Sequence, residues 1–292
     1  LDDNTEGANN TAVGHSSLAN NTTASNNTAV GFQSLLTNTT GTYNTAVGYN
    51  ALSTTATTSA NTALGYNAGT ANVGTENTFI GYEAGGNVTS GGTNTFLGFH
   101  AGHYQNAVTT GSDNTVVGAY ARTSSATVTG ELVIGRFALG QGASTGTLGL
   151  SGTGVSIPFN GSTTAWSAHS DERLKENIVD STAGLSFIND LRPITYNWKS
   201  KKDISTEFVN YYDADSDEPV QGQVKQTNHG FIAQEIKATI DAHPEIKEGH
   251  SIWRESPDGV QNVADGALIP MLVKAIQELS AEVETLKSQI GV

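Results

Sequence analysis

The chain has 292 residues, and its 14 Lys and Arg are outnumbered by 28 Asp and Glu, which gives a formal net charge of −14. This balance argues against a nucleic-acid surface, because binding a phosphate backbone needs clustered cations. The absence of cysteine excludes disulfides and thiolate chemistry, and no apolar run approaches the ~18 residues that membrane insertion as a helix requires.

Charge density divides the chain into two parts. Residues 1–169 carry only 2 basic and 7 acidic side chains, whereas residues 170–292 carry 12 and 21. The first part is therefore no ordinary globular domain, and its Gly, Thr, Asn and Ser content would indicate disorder unless a repeat stacks it. The chain begins at Leu1 instead of Met, which indicates a fragment or a processed product.

A repeat of 16 to 20 residues runs through residues 1–140. Each unit holds Asn-Thr, a small or apolar residue, an aliphatic residue and Gly. The motif begins at Asn10, Asn27, Asn44, Asn61, Asn77, Asn94 and Asn114, with a degenerate copy at Glu131. Stacking of such small units predicts a β-roll or β-solenoid shaft of eight coils. The expected core is the ladder of Val13, Val30, Val47, Leu64, Ile80, Leu97, Val117 and Ile134.

An aromatic column follows the motif glycines. Its members are Phe32, Tyr49, Tyr66, Tyr82 and Phe99. Two interpretations stay open: a receptor-binding surface, or a stacking ladder that merely stiffens the shaft. Residues 141–169 are rich in Gly, Ser and Thr and are interpreted as a transition segment, with a short strand at 155–159 and Trp166 as an isolated large apolar group.

Residues 170–292 have the pattern of a small α+β domain. A helix is expected from a Ser181 cap to Leu191. Strands are expected at residues 194–198 and 230–233, the second followed by a short helix that ends near Ala242.

Residues 266–290 form the strongest structural signal in the chain. Seven apolar residues recur there at alternating spacings of three and four, which is the seam of a coiled-coil helix. They are Ile269, Leu272, Ile276, Leu279, Val283, Leu286 and Ile290. So short a helix implies partner chains, although the seam does not fix their number.

Several motifs of the C-terminal part resemble, in the same order, those of the intramolecular chaperone domain of phage endosialidases and tail fibres. They are Ser170-Asp-Glu-Arg-Leu-Lys175-Glu-Asn177-Ile178, Gly184 to Trp198, Gly230-Phe-Ile-Ala-Gln234-Glu235 and Leu268 to Leu279. The preceding repeat is similar to the β-roll heads of trimeric autotransporter adhesins. The resemblance implies a domain that assembles three chains, drives folding of the preceding β-structure and then cuts itself off before the motif serine.

The resemblance places the cut between His169 and Ser170, with Ser170 as nucleophile and Lys175 as its base, and Arg173 and Asn177 as supporting residues. A hydroxyl needs a base to take its proton, and lysine serves only when burial or nearby cations favour its neutral form. A separation of five positions is neither a facing pair on a helix nor a short reach along a strand. Either the segment turns, or Lys175 acts across a subunit boundary.

Ser170 also has a purely structural interpretation. A serine followed by Asp171 and Glu172 is typical of a helix N-terminus, where the hydroxyl caps the helix. The two interpretations can coexist, because the N–H groups at such a terminus could serve as an oxyanion hole.

No metal site and no cofactor are expected from the sequence. His100 and His103 have a metal-like spacing but no third ligand, and they are interpreted as surface residues. The acidic run from Asp213 to Asp217 lacks the glycine and the final glutamate of a calcium loop.

The expected protein is the distal segment of a homotrimeric fibre, in a phage tail or a related extracellular or cell-surface appendage, that attaches to a sugar or protein receptor on a host. Its C-terminal domain would act once, as a self-cleaving serine endopeptidase with no other substrate. The alternative is a bacterial trimeric adhesin or stalk that keeps a non-cleaving trimerisation domain. Nearly identical coils specify their register weakly, so a terminal module that aligns the chains would supply it.

Overall fold

The structure is a computed structural model that describes residues 1–105, 107–151, 153–159, 167–168, 170–208, 211–223, 225–247 and 250–291. The chain divides into two compact units, residues 1–175 and 176–292. The segment from Ser170 to Lys175 thus belongs by its contacts to the first unit, although the charge density changes at residue 170. Trp166 and His169 lie outside the described residues.

One short strand per repeat builds the first unit. The strands are β1 (Thr11–Val13), β2 (Thr28–Val30), β3 (Thr45–Val47), β4 (Thr62–Leu64), β5 (Thr78–Ile80), β6 (Thr95–Leu97), β7 (Thr115–Val117) and β8 (Leu132–Ile134). Each pairs in parallel and in register with the next, so that Thr11 lies opposite Thr28 and Val13 opposite Val30. The predicted mainly β fold, with a solenoid of about eight turns, is confirmed.

Three further strands extend this sheet beyond the repeats. β9 (Thr145–Leu150) runs parallel to β8 and forms an antiparallel pair with β10 (Thr153–Pro158). β10 in turn pairs with β11 (Ser167–Ala168). The short strand expected at residues 155–159 corresponds to the second half of β10, which ends at Pro158, one residue earlier than predicted.

The core of the solenoid is not the predicted ladder. The aliphatic residues stack as expected, but on the outer face, where Val13 is 56% and Leu64 48% exposed. The buried residue is the one before each of them, in the middle of each strand. This inner column contains Ala29, Ala46, Ala63, Phe79, Phe96, Val116 and Val133, all 0% exposed. The prediction was wrong because strand side chains alternate between faces, and apolar character alone did not identify the inward face.

The rest of the core comes from the fourth position after each motif glycine. In the early coils this position is a buried leucine: Leu18, Leu35 and Leu52. The following coils have Gly69, Gly85 and Gly102 there instead, and the phenylalanines fill the space. A Cβ built on Gly85 would lie 2.2 Å from Phe79 Cδ1, and one on Gly102 would lie 2.5 Å from Phe96 Cδ2. In the fifth and sixth coils a phenylalanine in the strand thus takes the place of the leucine that follows the turn in the early coils.

The first residue of the motif locks each coil to the next. The backbone N–H of Asn27 donates to Asn10 Oδ1 at 2.9 Å. In the next coil the backbone N–H of Asn44 donates to Asn27 Oδ1, also at 2.9 Å. The side-chain Nδ2 of Asn27 meanwhile donates to the Gly41 carbonyl at 2.9 Å. Asn27 and Asn44 are buried, and their hydrogen bonds hold strand and return loop together.

The motif glycines are required by conformation and by space. Their φ angles lie between 125° and 143°, a region that side chains rarely adopt. A Cβ built on Gly48 would lie 2.3 Å from the Gly65 carbonyl oxygen of the next coil.

The second unit packs helices and strand pairs around one apolar cluster. Its elements are α1 (Leu185–Asn189), β12 (Ile194–Tyr196), β13 (Asn228–Gly230), α2 (Ala233–Ala242), β14 (Trp253–Glu255), β15 (Gln261–Val263) and α3 (Ile269–Ile290). β12 pairs antiparallel with β13, and β14 with β15. The cluster contains Ala183, Phe187, Ile236, Ile240, Ile246, Ile252 and Leu268.

Helix α1 begins later than predicted, and Ser181 does not cap it. Its N-cap position is Gly184, and the Leu185 N–H donates to Glu278 Oε2 of α3 at 2.7 Å. A Cβ built on Gly184 would lie 2.3 Å from the same oxygen. A carboxylate distant in sequence therefore satisfies the free N–H, which a local cap would otherwise have done.

The long C-terminal helix is present as predicted. A 3-10 turn at Asp265–Leu268 leads into α3, and Gly291 ends the helix with φ 72°. Its buried residue is Ala275, which lies toward the domain. All seven predicted seam residues are exposed in the single chain, by 41 to 72%. None of the helices in the described ranges is long and apolar enough to cross a lipid bilayer.

Candidate functional site

A tight turn brings Ser170 next to Lys175. Glu172–Leu174 form one 3-10 turn, closed by Leu174 N–H donating to the Asp171 carbonyl and Lys175 N–H donating to the Glu172 carbonyl, at 3.1 and 3.0 Å. The Lys175 ammonium Nζ then donates to Ser170 Oγ at 2.9 Å. Of the two arrangements that the spacing left open, the described chain has the turn.

Asp171, and not Ser170, caps this turn. Its Oδ1 accepts from the Arg173 backbone N–H at 2.9 Å and from Arg173 Nε at 3.0 Å. The interpretation of Ser170 as a simple helix cap is therefore wrong in this structure. The Ser170 hydroxyl instead accepts the hydrogen bond from Lys175 Nζ.

The pair of Asp171 and Arg173 balances its own charge. The pKa of Asp171 is lowered, first by the hydrogen bond from the Arg173 side chain and then by that from its backbone. The same side-chain bond raises the pKa of Arg173. Because Asp171 balances its charge, Arg173 repels a nearby cation less than an unpaired guanidinium would, and its visible contribution is to hold the turn.

The segment around this pair is open to solvent in the single chain. Residues 170–182 are all exposed. They include apolar side chains that a folded chain rarely leaves wet: Leu174 is 72%, Ile178 60% and Val179 84% exposed. Asn177 has φ 54°, a left-handed conformation that asparagine accepts more readily than most residues. The other side of the expected cut, His169, lies outside the described residues.

Comparison with known families decides what kind of domain follows the solenoid. Residues 170–243 match the family model of the chaperone of endosialidase. The resemblance read from the sequence is thereby confirmed for these residues, and the β-solenoid that precedes them is consistent with a tail-fibre-like architecture. No curated protein and no solved structure matches the chain. The family also points to peptidase-related domains that cleave themselves, and its match begins at Ser170.

Charged networks join the helices of the second unit. Arg192, after α1, donates through Nε to Glu235 Oε2 in α2 at 3.0 Å, and this bond lowers the pKa of Glu235. The ring of His243, at the end of α2, lies between Asp190 and Glu245. The contacts of Arg192 with Glu235 and of His243 with Asp190 join residues 43 and 53 positions apart, so local sequence patterns did not indicate them.

The aromatic column forms a continuous stack along the solenoid. From Phe32 through Tyr49, Tyr66 and Tyr82 to Phe99, ring centroids are 5.0 to 5.1 Å apart with interplanar angles of 8 to 15°. Each ring is 38 to 43% exposed. Most ring faces are covered by the neighbouring ring, so the edges and tyrosine hydroxyls are what a receptor would meet. This geometry fits a stiffening ladder and leaves receptor binding a prediction.

Proposed function

We propose that the chain is the distal part of a homotrimeric fibre whose C-terminal domain aligns three chains and then cuts itself off between His169 and Ser170. The observation that carries the proposal is the hydrogen bond between Lys175 Nζ and Ser170 Oγ, at the start of the matched family domain. A serine and a lysine in direct contact are the minimal nucleophile and base for opening a peptide bond.

The proposed reaction is a transfer followed by a hydrolysis. Neutral Lys175 takes the proton of Ser170 Oγ, and the oxygen attacks the carbonyl carbon of His169. The bond from that carbon to the Ser170 nitrogen breaks, the nitrogen takes the proton back from Lys175, and an ester remains on Oγ. Water then hydrolyses the ester, which leaves a carboxylate on His169 and a free amine and hydroxyl on Ser170.

Assembly is the proposed trigger. Lysine acts as a base only when its neutral form is favoured, and removal from water does that. In the single chain Ser170 and Lys175 are both exposed, and so are Leu174, Ile178 and Val179. A neighbouring subunit that covers these apolar side chains would also exclude water from Ser170 and Lys175. Cleavage would then follow assembly and not precede it.

Mass spectrometry of purified full chains tests the cut. Ser170→Ala and Lys175→Ala are each expected to leave the chain intact, whereas the wild type yields fragments that end at His169 and start at Ser170. Ser181→Ala and Lys199→Ala are matched controls, because both replace exposed residues outside the turn. A Ser170→Ala chain that is still cut there would refute the proposed nucleophile. An uncut wild type would favour the alternative, a stalk that retains the domain.

Mixed assemblies test whether the pair acts within one chain. Because Lys175 contacts Ser170 of its own chain, co-expression of Ser170→Ala with Lys175→Ala chains is expected to produce no more cutting than either variant alone. Extra cutting in the mixture would show that Lys175 serves a neighbouring subunit.

Two exposed surfaces support self-association. One is the seam of α3, whose seven apolar residues are exposed. The other is the outer aliphatic ladder of the solenoid, including Leu64, Leu97 and Ile134 at 48, 43 and 38% exposure. Monomers rarely leave such continuous apolar stripes exposed to water.

Light scattering of the uncut Ser170→Ala variant is expected to give the mass of three chains, and a single-chain mass would contradict the proposed trimer.

After cleavage the repeat region would form the tip of a phage tail fibre or related appendage and meet the host. Tyr49→Ala and Tyr66→Ala distinguish the two roles of the aromatic column. A receptor surface predicts loss of host-cell binding with little change in melting temperature. A stiffening ladder predicts a lower melting temperature with binding retained by whatever rods remain folded.

A further inference from the structure

The solenoid brings together three side chains that a divalent metal ion could bind. They are Glu83 on the fifth coil and His100 and His103 on the sixth, and their ligand atoms all lie within 4.8 Å of one another. His100 Nδ1 is 3.3 Å and His103 Nε2 3.9 Å from Glu83 Oε2. Among the described residues this is the one group of at least three such side chains whose ligand atoms converge.

These distances are compatible with three ligands of one metal ion. Ligand atoms bound to one tetrahedral zinc ion at about 2.1 Å are roughly 3.4 Å from one another. His100 Nδ1 is buried and makes no hydrogen bond within the described residues, although it lies 3.3 Å from the carboxylate oxygen. Two imidazole nitrogens and one carboxylate oxygen directed at the same space are satisfied together by a cation.

The surroundings hold His103 in the orientation of a ligand. Its Nδ1 is hydrogen-bonded to the Glu83 backbone carbonyl at 3.0 Å. Since a carbonyl only accepts, Nδ1 carries the proton, and Nε2 is left with its lone pair toward the Glu83 carboxylate. Metal-binding histidines are commonly oriented in this way. Gly86 provides the room, because a Cβ there would lie 2.5 Å from His103 Nδ1.

We propose that Glu83, His100 and His103 form a site for a divalent transition metal ion of the zinc class, which ties the fifth coil to the sixth. Two nitrogens and one oxygen favour zinc over calcium or magnesium, which prefer oxygen ligands alone. Three protein ligands also leave a coordination position open to water or to a ligand from solution. Side-chain exposures of 20 to 25% leave that position reachable.

The repeat itself supplies variants that keep the fold. His100 and Glu83 occupy the second position after the motif glycine, where other coils have Gln33, Asn50 and Asn67 with φ near those of the two ligands, between 51 and 54°. His100→Asn and Glu83→Gln therefore replace a ligand by a residue that the same backbone already carries elsewhere. His15→Phe is the matched control, because Phe32 occupies the corresponding position of the next coil.

Zinc binding to the untagged, chelator-treated full chain tests the proposal, with zinc chloride as probe and calorimetry and elemental analysis as readouts. We expect one zinc per chain, no comparable uptake of calcium, and a melting temperature of the solenoid that rises with zinc. His100→Asn and Glu83→Gln should each weaken binding by at least about 100-fold, and His15→Phe should not. The proposal is overturned if the wild type takes up no zinc at micromolar concentration, or if both ligand variants bind it as the wild type does.

Discussion

At the scale of single residues, His243 couples protonation to the fold of the second unit. Its Nε2 lies 2.9 Å from Asp190 Oδ2 and its Nδ1 2.8 Å from Glu245 Oε1, with only 8% of the residue exposed. Both ring nitrogens therefore face acceptors, which is satisfied best when both carry protons. The pKa of His243 is raised, first by the hydrogen bond with Asp190 and then by that with Glu245.

This arrangement predicts a pH dependence of stability. The folded domain binds the His243 proton more tightly than the unfolded chain does, so the stabilisation is complete below the ordinary histidine pKa of about 6.5 and is lost as pH rises through the raised folded value. Thermal melting of the second unit at about pH 6 and about pH 8.5 measures it. His243→Gln should reduce the difference between the two melting temperatures. The exposed His229→Gln is the control, and an unchanged difference in His243→Gln would contradict the assignment.

Residues that act across long sequence distances are the ones that the sequence did not reveal. The Ser170 and Lys175 pair could be located because its members are close in the chain and stand in a family motif. Glu83 could not be joined to His100 and His103, since it lies one coil away and only stacking makes them neighbours. Glu278 likewise reaches Leu185 only because α3 packs on α1.

At the scale of the elements, the strand positions followed from the spacing of the motif, but the inward face did not. Asn-Thr-x-aliphatic-Gly locates each strand and its turn, and all eight strands lie where the repeat places them. With three residues per strand, one residue points in and two point out. The aliphatic position is more apolar than the alanine beside it, so hydrophobicity favoured the wrong face. One sequence signal could have identified the inward face. In the coils that have phenylalanine in the middle of the strand, the fourth position after the motif glycine is glycine and not leucine, so the two positions compensate in size.

This exchange predicts that Phe96 and Gly102 are energetically coupled. Phe96→Ala should lower the free energy of unfolding by about 3 to 5 kcal/mol through the cavity it leaves. Gly102→Leu alone should also destabilise, because its side chain would meet the Phe96 ring. The double variant recreates the Ala46 and Leu52 combination of an earlier coil, and it should melt at a higher temperature than either single variant.

Circular dichroism melting of the two single variants and the double variant measures this coupling. Strictly additive losses would show that the two positions do not share the same space. Leucine at position 102 must adopt a positive φ, but Leu18, Leu35 and Leu52 already do so at 49 to 50°. The backbone therefore does not prevent the test.

At the scale of the whole molecule, contacts within one chain fix the register of the solenoid coils, whereas the outer surface would specify the register between chains only weakly. Within a chain, each asparagine and glycine of the motif contacts its counterpart in the next coil, which fixes the intramolecular register. Between chains, the outer ladder presents nearly the same Thr, aliphatic and aromatic columns at every coil. A neighbour displaced by one coil would cover almost the same apolar surface. In the proposed trimer the alignment would therefore have to come from outside the repeats, and the exposed apolar seam of α3 could provide it.

If alignment is supplied during folding and then removed, two rods of identical sequence should differ according to how they were made. Residues 1–169 released from the full chain are expected to be soluble and uniform in mass. The same residues expressed alone are expected to aggregate, because the apolar ladders of different chains then associate with no terminal domain to align them. Released rods that are melted and cooled should not recover, since their persistence is kinetic. Light scattering and melting of both preparations decide the matter: identical soluble rods from both routes would show that the repeats choose their own register and that the C-terminal domain is not a folding aid.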